Sequence, residues 1–314
     1  MPAKAMANLS SGASLAGKVC LVTGATNGIG FTTALALARL GAAVWVHGRD
    51  AARGQRATQD IVRESGNRDV RFAQADFARL DDVRRLAAEV EAGTPTLDVL
   101  IDNAGLISPR RTTTADGYEA TFAVNHLAPF LLTLLLCAKL EHSAPARIVV
   151  VASEAHRRVR LDFADPMMTG RYAQFLAYGR SKLANILFAR ALARRLAGTS
   201  VTVNALHPGV VRTNLFNHGS PLARVGAATI GRLFMISPEE GARTSVYLAS
   251  SPEVEGRSGG YYSKCRLIAP SAAALRDEDG ERLWELSAKL VALPPTALAA
   301  LPAAPLSGSP ARPS

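Results

Sequence analysis

The stretch Val19-Cys20-Leu21-Val22-Thr23-Gly24-Ala25-Thr26-Asn27-Gly28-Ile29-Gly30 decides the fold. An apolar run of strand type feeds a glycine-rich turn, which opens directly onto a helical pattern over residues 31–40. Glycines at 24, 28 and 30 let the backbone turn sharply and approach a pyrophosphate, whose charge would meet the free N–H groups and positive dipole of the helix N-terminus. The spacing is Gly-x3-Gly-x-Gly, not the usual Gly-x-Gly-x-x-Gly, so the turn by itself reads either as a cofactor site or as a tight structural turn. Its place after the first strand of an alternating pattern favours a dinucleotide cradle of Gly24, Thr26, Asn27, Gly28, Ile29 and Gly30.

Outward from this turn the alternation continues. Short apolar runs rich in β-branched residues stand at 19–22, 43–46, 70–73, 99–101, 148–151 and 201–205, with helical patterns at 31–40, 81–92, 118–140 and 177–196 between them. Near-continuous apolar strands separated by helices require a parallel sheet covered on both sides. Gly41 reads as a helix stop and Asp50 as a helix N-cap before Ala51-Ala52. The expected class is α/β: a single-domain Rossmann-type doubly wound parallel sheet with helices on both faces. The expected domain spans 17–290, after a flexible leader at 1–16 and before a Pro/Ala-rich tail at 291–314.

Composition sets limits on function. The chain has 314 residues, 48% of them hydrophobic, with 36 Lys+Arg against 26 Asp+Glu for a net charge of +10. That length fits one large α/β domain or two of about 150 residues, and is far beyond a disulfide scaffold. Cys20, Cys137 and Cys265 are widely spaced and lack metal-ligand patterns, so no metal site is expected. The longest apolar run, Leu127 to Ala138, contains Pro129 and falls short of the roughly 20 residues of a membrane span. No signal-peptide pattern opens the chain, and a cytoplasmic protein without a transmembrane segment is expected. The arginine pairs at 84–85, 110–111, 157–158 and 194–195 are scattered without aromatic interleaving, so a solvated charged surface is expected and no nucleic-acid partner.

The second strand ends in Val46-His47-Gly48-Arg49-Asp50, where a doubly wound fold meets the adenosine ribose. An acid there would bind the 2′-hydroxyl of NAD, and an Arg would accommodate the 2′-phosphate of NADP. Asp50 is already employed as an N-cap and Arg49 lies nearer the strand end, which favours NADP(H), with NAD(H) as the alternative.

Tyr178 and Lys182, four residues apart on a helix, share a face. A free phenol has a pKa of about 10, and a nearby ammonium would bring it toward the range of a general acid/base. Ser153 follows the fifth strand directly, at the sheet edge where ligands of such folds bind, and its hydroxyl could bond a substrate oxygen as charge develops there. Ser153 also reads as a turn cap, and Asn125 as a helix-interior amide bonded to backbone.

With these residues in view, the chain resembles the classical short-chain dehydrogenase/reductase family. The resemblance is carried by Thr23 to Gly30, Asp76, Asn103-Ala104-Gly105, Asn125, Ser153, Tyr178 with Lys182, and Pro208-Gly209, in the expected order over residues 17 to about 265. It looks closest to the retinol dehydrogenase and WW-domain oxidoreductase branch through Asn125-His126-Leu127, Ser153-Glu154-Ala155-His156, Ser181 to Asn185, His207 to Thr213, Gly260 to Ser263 and Glu281-Arg282-Leu283-Trp284. The resemblance implies an NADP(H)-dependent alcohol dehydrogenase or carbonyl reductase. It implies that Tyr178 is the general acid/base, that Ser153 polarises the carbonyl, and that Lys182 binds the nicotinamide ribose and lowers the Tyr pKa. Asn125 would hold a water in a proton relay. Asp76, beside Phe77, would contact adenine, and Val211 with Thr213 the carboxamide, while Asn103, Ala104, Gly105 and Pro208 complete the implied cofactor contacts. Two departures stand out: Asp102 where the family usually has Asn, and Ala152 where a second Ser is common. The first is expected to affect sheet packing.

Leu161, Phe163, Met167, Met168, Tyr172, Phe175 and Leu176 lie between Ser153 and Tyr178, and Leu215, Phe216, Leu222, Val225, Leu233, Phe234 and Met235 follow the Pro-Gly turn. As pocket walls they would suit an apolar ketone, aldehyde or alcohol; as core or contact residues they would serve packing or a homo-oligomer. Val225, Thr229, Leu233 and Ile236 also form a helical stripe suited to a membrane surface or a partner. Arg157, Arg158 and Arg160 read as exposed loop charge, with an acidic substrate as the alternative. A cofactor-binding regulator or scaffold without turnover remains the alternative function.

Overall fold

The apolar runs form strands at Val19–Val22 (β1), Ala43–Gly48 (β2), Val70–Gln74 (β3), Val99–Asp102 (β4), Ala146–Val151 (β5) and Val201–Leu206 (β6). Two short strands, Tyr261–Ser263 (β7) and Arg266–Leu267 (β8), were not signalled by any apolar run. A computed structural model describes residues 14–209, 236–294 and 301. The eight strands make one sheet in the order β3-β2-β1-β4-β5-β6-β7-β8. Every pairing is parallel except β7 with β8. The chain order reverses between β1 and β4, whose register sets Cys20 against Val99. A doubly wound sheet opens a ligand crevice at the carboxyl ends of such strands.

Helices cover both faces, as expected. Gly28–Arg39 (α1), Ala51–Ser65 (α2) and Pro238–Ser250 (α7) pack one face, with Leu37, Ile61 and Leu248 against Val22, Val44 and Val149. Leu80–Gly93 (α3), the composite helix Ala120–Leu135 (α4), Gln174–Arg195 (α6) and Asp277–Leu290 (α8) pack the other, with Leu86, Leu131, Ile186 and Trp284 in one core with Leu100 and Ile148. Asp50 caps α2 as expected, its side chain accepting from the Arg53 N–H at 2.9 Å.

The continuous helix expected over 118–140 is not what forms. The chain passes from an α turn at Ala120–Phe122 through a π turn at Ala123–Leu127 into an α segment at Ala128–Leu135, together α4, and then breaks before Cys137–His142 (α5). Pro129 has no N–H to offer the Asn125 carbonyl four residues back, and the backbone widens around that position.

The expected domain limits also shift. Leu15 is buried in the core and its N–H donates to the Leu40 carbonyl at 2.8 Å, so packing begins inside the expected leader. Val291, Leu293 and Leu301 join the other core cluster, so packing also continues past residue 290. Apolar side chains that complete a helix-covered face are held there whatever the composition of their neighbours.

Candidate active site

The strand-to-helix turn after β1 is built for close backbone approach. A Cβ on Gly30 would stand 2.3 Å from the Gly24 carbonyl oxygen and 2.5 Å from Asn103 Nδ2, and one on Gly24 2.8 Å from the Ala104 Cα. Helix α1 starts at Gly28 with no side-chain cap on its free N–H groups and no acidic residue in its first turn. An uncapped N-terminus at the crevice, reached through glycines that admit no side chain, fits a pyrophosphate.

Long-range bonds hold this cradle to the next strand ends. Thr23 Oγ1 accepts from the N–H groups of Asn103 and Ala104 at 2.9 and 3.0 Å, and Asn103 Nδ2 donates to the Thr23 carbonyl at 2.8 Å. From β2, His47 Nδ1 accepts from the Gly24 N–H at 3.2 Å while Nε2 donates to the Ala75 carbonyl at 3.0 Å. These two bonds fix one neutral tautomer, and burial pulls the His47 pKa down to about 4. The ring stacks on Phe77, which lines the crevice beside Asp76. The sequence alone does not mark His47, because its partners come from two other strand ends, Gly24 after β1 and Ala75 and Phe77 after β3.

One cleft of about 880 Å³ runs along the carboxyl edge of the sheet. It is lined at one end by Gly24, Thr26, Asn27, Gly28, Ile29 and Gly30, then by Arg49, Asp76, Phe77, Asn103, Ala104 and Gly105. Ser153, Tyr178, Lys182 and Pro208 line it at the other end. Val211 and Thr213, together with the apolar set from Leu215 to Met235 and the stripe residues Val225, Thr229 and Leu233, lie outside the described residues. Arg53, which the sequence reading passed over, also lines the cleft, one helical turn beyond Arg49, and its Nε lies 3.4 Å from Asp50 Oδ2.

Asn125 sits behind the cleft, fully buried. Its Oδ1 accepts from the Leu106 N–H at 2.7 Å, and its Nδ2 donates to the Leu106 carbonyl at 2.9 Å and to Ser181 Oγ at 3.0 Å. Both amide hydrogens are spent on protein, so the side chain pins the loop after β4 to α4 and α6. Ser153 does cap a turn, accepting from the Ala155 N–H at 3.3 Å, and it also sits beside the Tyr178 hydroxyl. Lys182 is 3% exposed; its Nζ donates to the Val151 carbonyl at 2.9 Å and lies 5.7 Å from the centroid of the Tyr178 ring.

Burial dominates the electrostatics here. It raises the Tyr178 pKa, with the Ser153 hydroxyl acting in the opposite direction, and it pulls Lys182 down to about 8 against the raising effect of Asp102. Asp102 itself, buried at the end of β4, is pushed up to about 7. Next to Ser153, Glu154 Oε1 meets His207 Nε2 at 3.1 Å, linking the loop after β5 to the residue before Pro208.

Of the two apolar sets, the one between Ser153 and Tyr178 packs largely as core and does not wall the cleft. Leu161, Phe163 and Met167 pack against the core, Arg282 lies over the Phe163 ring at 4.4 Å, Met168 is buried and Phe175 is 61% exposed. None of the apolar residues named between Ser153 and Tyr178 lines the cleft. That segment folds back onto α6 and α8, where more apolar surface is available to cover it. The described wall beyond Gly105 is the loop after β4: Leu106, Ile107, Ser108, Pro109, Arg110 and Thr112 to Thr114, with Ala120 and Val124.

The chain is similar to known proteins along most of its length. Retinol dehydrogenase 14 of Homo sapiens is 44% identical over 296 residues, covering 88% of this chain and 87% of that protein. Among solved structures, an uncharacterised protein of Mycobacterium paratuberculosis matches with a TM-score of 0.73 at 31% identity, over 90% of this chain and 97% of that one. The complex of Pseudomonas aeruginosa RhlG with NADP matches with a TM-score of 0.64 at 29% identity, over 79% and 94%. The family model described as short chain dehydrogenase covers residues 18–221, and with a relative this similar along most of both chains, the protein belongs to the short-chain dehydrogenase family of oxidoreductases, in its retinol dehydrogenase-like branch.

Proposed function

We propose that the protein is an NADP(H)-dependent enzyme that interconverts an apolar ketone or aldehyde and its alcohol, with Tyr178 as the general acid/base. The observation that carries this reading is the convergence of Ser153, Tyr178 and Lys182 on the same cleft as the glycine cradle. The cofactor, when bound, supplies or accepts the hydride. Burial keeps the Tyr178 phenol protonated at neutral pH, the form that can hand a proton to a carbonyl oxygen. Ser153 Oγ donates a hydrogen bond to that oxygen as negative charge builds on it. In the reverse direction the phenolate form of Tyr178 takes the alcohol proton, and the positive charge of Lys182, 5.7 Å from the ring centroid, favours that form.

The preference for NADP(H) is supported by Arg49 and Arg53 on the cleft wall, and by the engagement of Asp50 with the Arg53 N–H and guanidinium. The name of the retinol dehydrogenase relative supports an elongated apolar alcohol as substrate class, and Leu106, Ile107, Ala120 and Val124 give it an apolar surface. No helix among the described residues is long and apolar enough to cross a membrane; a cytoplasmic location is part of the proposal. NADPH oxidation with a panel of apolar aldehydes and ketones tests the reading. Tyr178→Phe is expected to abolish turnover while NADPH still binds, and undiminished turnover in that variant overturns the mechanism.

A further inference from the structure

We infer that Asp102 is the buried counter-charge of Lys182, a positioning residue that keeps the lysine in its ammonium form and thereby sets the alkaline limit of the reaction. The inference rests on the assignment of Tyr178 and Lys182 to proton transfer. In the resembled family this position is usually Asn, which has the same shape and no charge.

The geometry is that of a carboxyl placed where a carboxyl is costly. Asp102 closes β4 after Val99, Leu100 and Ile101, and it is 3% exposed. Alternation along the strand turns its side chain to the face of Leu100, which is covered by α4 and α6. From α4, Thr133 Oγ1 donates to Asp102 Oδ2 at 2.8 Å, whereas Oδ1 is buried without a hydrogen-bond partner. A buried carboxylate with one free oxygen needs a compensating charge.

Lys182 supplies it from α6. Asp102 is paired with Val150 of β5, and Lys182 Nζ is bonded to the carbonyl of the next residue, Val151. On the β4 side, a Cβ on Gly105, three residues beyond Asp102, would lie 3.4 Å from that same Nζ. The ammonium is therefore lodged over the adjoining ends of β4 and β5, on the side of the sheet where Asp102 points. Among the described charged groups, Asp102 is the one that acts on Lys182 and Lys182 the one that acts on Asp102; Tyr178 faces the lysine from the same helix.

The sign is fixed by this arrangement. With Asp102 near 7 and Lys182 near 8, the carboxylate forms in the neutral range and from there resists loss of the lysine proton. Replacing it with a neutral amide removes that resistance, so Lys182 deprotonates at lower pH and the ammonium beside Tyr178 is lost sooner.

The test is a pH titration of the Lys182 Nζ resonance in nitrogen-15 lysine-labelled full-length protein, without cofactor or substrate, for wild type, Asp102→Asn and Thr133→Val. Asp102→Asn is expected to lower the Lys182 midpoint by about one pH unit, and the alkaline limb of kcat/KM for carbonyl reduction is expected to move down with it. Thr133→Val removes the donor to Oδ2, raises the pH at which the carboxylate forms, and is expected to give a smaller shift in the same direction. A Lys182 titration unchanged in Asp102→Asn, or a shifted titration with an unmoved activity profile, overturns the inference. The titration needs no turnover, so it is read separately from the Tyr178→Phe result on which the proposed mechanism depends.

Discussion

The imidazole of His47 lies stacked on the ring of Phe77, centroids 4.2 Å apart and planes 20° from parallel, with its two nitrogens tied to the Gly24 N–H and the Ala75 carbonyl. One neutral ring thus joins the glycine cradle to the end of β3 and backs a residue of the cleft wall. Protonation would aim an N–H at the Gly24 N–H. His47 titrates near 4 in the folded protein against an ordinary 6.5, so between those values the unfolded chain binds more protons. Its stabilising contribution is complete above about 6.5 and is lost as pH falls toward 4, an effect of about 3 kcal/mol. His47→Asn should be less stable at pH 7 and should lack that part of the acid destabilisation, as read from denaturation midpoints across pH. The same variant is expected to weaken NADPH binding by about tenfold through a loosened glycine loop.

Gly30→Ala tests the cradle itself. The added methyl would meet backbone, the Gly24 carbonyl oxygen at 2.3 Å, and neither α1 nor β1 can move without disturbing the sheet. Loss of detectable NADPH binding is expected, with a melting temperature lowered by several degrees, as for a destabilisation of about 1–3 kcal/mol. Calorimetric titration with NADPH and a thermal melt give both readings.

Arg49 and Arg53 set the expected cofactor preference. If a 2′-phosphate is held between them, Arg49→Ala should raise the KM for NADPH by about tenfold or more and leave that for NADH nearly unchanged. Arg53→Ala should have a similar but smaller effect, since part of its charge is directed to Asp50. Equal losses with both cofactors would remove the basis for assigning NADP.

What is legible in the sequence rests on short-range pattern. The strand after residue 18, the glycine turn, the Asp50 cap and the Tyr178–Lys182 spacing are each set within a few residues. What escaped depends on distant partners. His47 gains its meaning from Gly24 and Ala75, and Asp102 from Thr133 and Lys182. The segment from Leu161 to Leu176 reads as pocket wall or as core, because it is apolar and lies between Ser153 and Tyr178. Only the position of α8, in particular Arg282 over Phe163, explains why it packs inward. The helical pattern of 118–140 was visible, but its widening at Asn125 followed from Pro129, a residue seen in the sequence and not connected to the carbonyl four positions earlier.

Tyr172 offers a way to separate substrate binding from cofactor binding. Its hydroxyl donates to the Ser108 carbonyl at 2.9 Å, and Arg111 Nε donates to the Met167 carbonyl at 3.1 Å, so the segment before Tyr178 is fastened to the loop after β4. That loop supplies Ile107, Ser108 and Pro109 to the cleft wall. Tyr172→Phe removes this bond, of about 1 kcal/mol, together with longer contacts of 3.4 Å to Glu119 Oε1 and Thr121 Oγ1, and leaves the ring in place. The KM for a carbonyl substrate should rise about threefold to tenfold, while the Kd for NADPH stays the same because the glycine cradle, Arg49 and Phe77 are untouched. If NADPH binding weakens and the substrate KM does not, this loop serves the cofactor, and the substrate wall must be sought elsewhere along the cleft.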